Sequence, residues 1–104
     1  MKTIKITEEK GFKVDVTFNV MLKLYKQSGI TEFKELVNWS NNPHNFGLLM
    51  SCVSVNGLKE KECIELLNEA NSIKPIHEII NMLAEHINAF YTLDNKEGES
   101  VPNG

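Results

Sequence analysis

Arginine is absent. All 11 basic residues of this 104-residue chain are lysines, set against 14 acidic residues for a formal charge of -3. Proteins dedicated to nucleic acid usually present a basic face with planar guanidinium forks for phosphates and guanine edges, so this balance argues against that class. Cysteine is scarce too. Cys52 and Cys63 are too far apart in sequence for a Cys-x-x-Cys ligand pair, and two residues make no disulfide framework. The 6 glycines stand singly, which removes a Gly-rich phosphate loop. No apolar run approaches the ~18 residues needed to cross a bilayer. The N-terminus, Met1-Lys2-Thr3-Ile4-Lys5-Ile6, alternates charged with apolar residues and lacks the apolar stretch of a secretory signal. A reducing, intracellular setting is the plain expectation.

What is present is ordinary for a globular chain: 41% hydrophobic and 24% charged residues, in a length that fits one domain. Thr3–Ile6 and Phe12–Val16 alternate with period two around a polar Glu8-Glu9-Lys10-Gly11 turn, which predicts a β-hairpin. Ile4 and Ile6 share one face, matched by Phe12, Val14 and Val16. Thr17 is placed to cap a helix running to Ser28, with Phe18, Met21, Leu22 and Tyr25 inward and Gly29 as its stop. Thr31 is read as the cap of a short helix to Asn38, with Phe33, Leu36 and Val37 inward.

Asn42-Pro43 opens a third main helix that carries Phe46, Leu49, Met50 and Val53 and stops near Asn56-Gly57. A fourth helix, Lys59 to Asn71, turns Cys63, Ile64, Leu66, Leu67 and Ala70 inward. The last begins at Lys74-Pro75 and holds Ile76, Ile79, Ile80, Leu83, Ala84, Ile87, Phe90 and Tyr91 at helical spacing. The expected fold is α+β and predominantly α-helical, an N-terminal β-hairpin followed by about five short helices in a compact bundle. Residues 1–92 form this single domain, and the polar, aperiodic residues 93–104 are expected to be a disordered tail.

Catalytic signatures are missing. His77-Glu78-Ile79-Ile80-Asn81 has asparagine where a zincin needs its second histidine, and His86 falls on the opposite helical face from His77. His44 is read as a loop residue beside Pro43. No activated nucleophile has its elbow or partner. Glu60, Glu62, Glu65 and Glu69, interleaved with Lys59 and Lys61, make a solvated helix face rather than an oxygen-rich calcium loop. A helix-turn-helix over Lys23, Lys26 and Lys34 is opposed by Glu32 and Glu35 and by the net charge. No catalytic residue, metal ligand or cofactor is therefore assigned, and neither nucleic acid nor membrane is an expected partner.

The remaining signal is aromatic. Trp39 precedes a polar loop, Phe46 opens a helix, and Phe90 and Tyr91 end the last one. Trp39 is read either as a lid on the core or as a binding anchor, since Trp and Tyr dominate interface hot spots. Trp39, Phe46, Phe90 and Tyr91 are the candidate partner-binding residues, and self-association is a further expectation.

The segment from Thr17 to Ile30, a helix closed by Ser28-Gly29-Ile30, is followed by the acidic and aromatic Thr31-Glu32-Phe33-Lys34-Glu35-Leu36. Together with the Asn42-Pro43 start, the Asn56-Gly57 break and the long C-terminal amphipathic helix, this order resembles the small tail assembly chaperones of long-tailed bacteriophages over residues 3–91. The resemblance implies a non-enzymatic protein of the bacterial host cytoplasm, not retained in the virion. Such a protein binds the tape measure protein and helps recruit tail tube subunits; a frameshifted longer form is common in that family. A small adaptor or regulatory protein acting by stoichiometric binding is the alternative, ahead of a DNA-binding regulator.

Overall fold

Lys2–Lys5 (β1) and Gly11–Val14 (β2) pair antiparallel in a computed structural model, with Ile4 opposite Phe12 and Thr3 opposite Lys13. Helices follow at Phe18–Ser28 (α1), Leu36–Ser40 (α2), Phe46–Val53 (α3), Glu60–Ala70 (α4) and Lys74–Asn103 (α5). Short 3-10 turns at Phe33–Glu35 and Pro43–Asn45 lead into α2 and α3. The fold is α+β and mostly helical, as the periodicities require. The structure describes the backbone of residues 1–103 and the side chains of residues 1–92. The expectation of a disordered tail over 93–104 concerns residues outside the fully described part.

Alternation decides the hairpin's orientation. Ile4, Ile6, Phe12, Val14 and Val16 are all buried, and the intervening Thr3, Lys5, Lys13 and Gly11 face solvent. The turn is tighter than the sequence implies, closed by Thr7 and Lys10 (Lys10 N–H to Thr7 O, 3.4 Å; Ile6 N–H to Lys10 O, 2.9 Å). Gly11 therefore lies in β2 instead of the turn. A Cβ there would sit 2.7 Å from Thr3 Cγ2, so glycine answers a steric demand across the strands. Lys10 Nζ reaches both carboxylate oxygens of Glu69, at 2.8 and 2.9 Å, and ties the turn to the end of α4.

The core gathers this hairpin face with Met21, Leu24, Leu36, Leu49, Met50, Val53 and Cys63, and with the α5 stripe Ile76, Ile79, Ile80, Leu83 and Ile87. Each fully buried large aliphatic contributes about 1.5–3 kcal/mol relative to an exposed position. α5 packs against β1 and α2, and α3 against both α1 and α4.

Several local expectations are corrected. α1 is capped as expected, with Thr17 Oγ1 accepting the Val20 N–H at 3.2 Å and Gly29 at φ 76°. Yet its buried residues are Met21 and Leu24, whereas Phe18 is exposed. Six apolar side chains on three turns cover too wide an arc for one core face, and the body takes the arc centred on Leu24. The next turn starts from Glu32, not Thr31, because Glu35 Oε1 accepts the Glu32 N–H at 2.9 Å. α2 then extends to Ser40, so Trp39 lies within it.

α3 ends at Val53, short of Asn56-Gly57. Beyond it the chain runs extended along β2: Asp15 N–H donates to Val53 O and Val55 N–H to Lys13 O, both at 3.0 Å, with Ser54 opposite Val14. The β-branched residues that weaken the helix end here favour a strand. On α4 only Cys63 is fully buried; Ile64 lies beside Gly47 of α3 yet stays 40% exposed.

Candidate functional site: an aromatic surface cluster

Phe18 is the first residue of α1, and Tyr25 lies two turns further along the same flank. Past the left-handed Gly29, the Tyr25 hydroxyl donates to Thr31 O at 3.1 Å and holds the returning loop against α1. The Glu35 carboxylate then accepts from the Glu32 amide and the Thr31 hydroxyl (2.9 and 3.2 Å), which fixes the turn that carries Phe33. Phe33 points back into the gap. Its ring centroid is 6.1 Å from Phe18, 6.0 Å from Tyr25 and 6.4 Å from Phe90.

The end of the described side chains of α5 completes the group. Phe90 stacks on Phe18 at 5.9 Å with planes 30° apart, and Tyr91 meets Phe90 edge-on at 5.6 Å and 81°. These separations lie in the range where aromatic pairs attract through their quadrupoles. Five of the eight aromatic residues of the chain are collected here. Phe33 packs partly against the core, while Phe18, Phe90 and Tyr91 remain 51%, 49% and 37% exposed. Large aromatics left together at the surface are the composition that interface hot spots favour.

The structure divides the four residues singled out from the sequence. Phe90 and Tyr91 belong to the cluster. Trp39 and Phe46 are half-buried against the core and take no part in its ring contacts. Trp39 instead borders a shallow groove of about 270 Å³ with Ile30, Glu35, Asn38, Asn42 and Asn45. Its carbonyl accepts from Asn45 Nδ2 at 2.9 Å and from the Asn42 amide at 3.2 Å, which fixes the backbone beside that groove. Phe18, Tyr25 and Phe33 were assigned to the core by sequence. For Phe18 and Tyr25 the separating signal is the second apolar stripe of α1, a flank running Phe18, Leu22 and Tyr25 beside the Met21 and Leu24 core face; Phe33, in the following turn, does pack partly against the core.

The titratable groups are dispersed. His44, His77 and His86 are exposed, and His86 Nδ1 is engaged with the Met82 carbonyl at 2.9 Å. Among the described residues no three His, Cys, Asp or Glu side chains gather as a metal site would require. Cys52 and Cys63 are free and buried. Burial, with Glu62 and Glu60 adding to it, pushes the Cys63 thiol up to about 11. Burial also raises Cys52, partly opposed by Lys23. Both thiols are held in the unreactive form at neutral pH. Among the described residues no helix is long and apolar enough to cross a membrane.

In comparisons with known proteins, no family model matches this chain, and no curated protein or solved structure matches it.

Proposed function

We propose that this chain is a non-enzymatic assembly chaperone of the phage tail type, working in the host cytoplasm by stoichiometric binding. Its clients are the tape measure protein, whose helical segments it shields, and the tail tube protein, which it helps to recruit. The observation that carries the binding part is the exposed Phe18–Phe90–Tyr91 surface, backed by Phe33. A single amphipathic helix could lay its apolar anchors across three aromatic rings while its polar side stays wet. The phage assignment is supported by the order of elements: hairpin, Gly-stopped helix, acidic and aromatic turn, Pro-started helix and long amphipathic helix.

Co-expression with the product of the longest reading frame downstream tests this reading. A soluble stoichiometric complex with a protein that is insoluble alone is the expected result, lost when Phe90 is replaced by serine. A folded chain that neither binds nor rescues that protein would overturn the chaperone function and leave a small adaptor as the better description.

A further inference from the structure

A different surface, independent of the aromatic cluster, is open at the hairpin. The two edges of the sheet are not alike. Lys13 O accepts the Val55 amide and the Asp15 amide donates to Val53 O, so the main-chain groups of Lys13 and Asp15 point away from β1. Thr3 lies directly opposite Lys13, and Lys5 opposite Gly11, two positions along. By the alternation of an antiparallel ladder, the N–H and C=O groups of Thr3 and Lys5 must point away from β2. No hydrogen bond from elsewhere in the described chain reaches them. The far edge is closed by the chain's own Ser54–Val55 segment, and the near edge is bare.

The charges on that edge discriminate between occupants. β1 carries Lys2 and Lys5 and no acid. Two copies pairing β1 to β1 would bring four lysines along one short ladder, so self-pairing is opposed. A groove of about 360 Å³ shares Lys5 with the edge and runs between the turn and the start of α5, floored by Ile6, Ala70 and Pro75. Its rim bears Lys5 and Lys74, and also Glu8 and Glu78; Lys5 donates to Glu8 at 3.1 Å, a solvent-screened surface pair of small energetic weight. The edge thus offers unpaired main chain, a strand whose only charges are lysines, and an adjoining recess for an aliphatic side chain.

We infer that β1 accepts an extended, acidic segment of another protein as an added strand. Main-chain bonds form at Thr3 and Lys5, a carboxylate lies opposite Lys5 on the solvent face, and a small apolar side chain of the other face enters the groove. The affinity of so short a ladder is modest, and its selectivity is electrostatic.

The test is an amide NMR titration of the full chain with a blocked peptide of alternating valine and glutamate, and with its lysine counterpart. The acidic peptide at millimolar concentration is expected to shift and protect the Thr3 and Lys5 amides, leaving Ile4 little changed. The lysine peptide is expected to bind at least about tenfold more weakly. Thr3→Pro removes only an outward-facing N–H, a substitution that edge strands tolerate, and should abolish the response. Should that variant misfold, Lys2→Glu with Lys5→Glu serves instead and should reverse the preference between the two peptides. Equal binding of both peptides, no change at Thr3 and Lys5, or concentration-dependent dimerisation through β1 would each overturn the inference. None of these outcomes bears on the aromatic face, which Phe90→Ser probes separately.

Discussion

Phe18 and Phe90 stack with their ring centroids 5.9 Å apart, although one opens the first helix and the other lies near the end of the described side chains of the last. The contact closes the bundle at a place where neither ring is buried. Each loses half a side chain of apolar contact on truncation, so Phe18→Ala and Phe90→Ala should each cost about 1 kcal/mol. Their coupling in a double-mutant cycle should be about 0.5–1.5 kcal/mol. Urea unfolding of the two single variants and the double variant measures it; strict additivity would mean that the rings do not interact in solution.

The four aromatics singled out from the sequence should separate into two classes. Tyr91→Ala and Phe90→Ala are expected to weaken client capture at a stability cost of no more than about 1 kcal/mol. Trp39→Ala and Phe46→Ala remove side chains packed against the core, and each should cost about 2–3 kcal/mol. Pull-down and thermal unfolding on the same preparations decide this. Equal destabilisation by all four would make the exposed pair structural rather than functional.

Ser40 is fully buried at the end of α2, and its hydroxyl has no hydrogen-bond partner among the described residues. An unsatisfied buried hydroxyl carries a desolvation cost without compensation. Ser40→Ala is therefore expected to stabilise the fold by about 1 kcal/mol, read as a higher urea midpoint at unchanged slope. A loss of stability would show that the hydroxyl holds a bound water or bonds to a carbonyl in solution.

Elements were legible where one local signal met no competitor. The hairpin faces follow from alternation, and α5 from an uninterrupted apolar stripe from Ile76 to Ile87. The Thr17 cap, through its side-chain oxygen, and the Gly29 stop, through its dihedral, act within a few residues and need no tertiary knowledge. Legibility failed where two readings of the same residues were both physically sound. α1 has two adjacent apolar stripes, and only the arrival of Phe33 and Phe90 decides which is core. Val53 and Val55 end a helix or begin a strand depending on whether β2 offers a partner, which is information from forty residues earlier in the chain. The aromatic cluster is a long-range object, and sequence found its α5 half only because Phe90 and Tyr91 outrun the core stripe.

Alkaline pH should weaken the fold through the thiols. Cys63 is raised from 9.0 to about 11, first by burial and then by Glu62 and Glu60. A group whose folded pKa exceeds its unfolded one binds more protons when folded. Its contribution is complete below pH 9 and is lost as pH rises through 11, with a slope of about 1 kcal/mol per pH unit. Cys52 acts in the same direction. Urea midpoints at pH 7, 9 and 10.5 should fall only across the last interval. Cys63→Ala lowers stability at every pH by leaving a cavity, but it should flatten that final decline. An unchanged decline in the variant would assign it to other groups.

Gly29 gives the clearest separation of backbone from packing effects. It sits at φ 76°, and a Cβ built there meets nothing within 4 Å. Any penalty for Gly29→Ala is then conformational, about 1 kcal/mol for forcing an L-residue into the left-handed region. Asparagine tolerates that region, and this chain already uses it so: Asn71 closes α4 at φ 52°. Gly29→Asn should consequently lose only a few tenths of a kcal/mol. The two variants differ in side-chain size in the direction opposite to their expected cost. Equal or reversed losses would mean that the side chain, not the dihedral, sets the requirement at this stop. The expected order, measured by thermal unfolding, would establish that glycine is there to turn the chain toward Phe33.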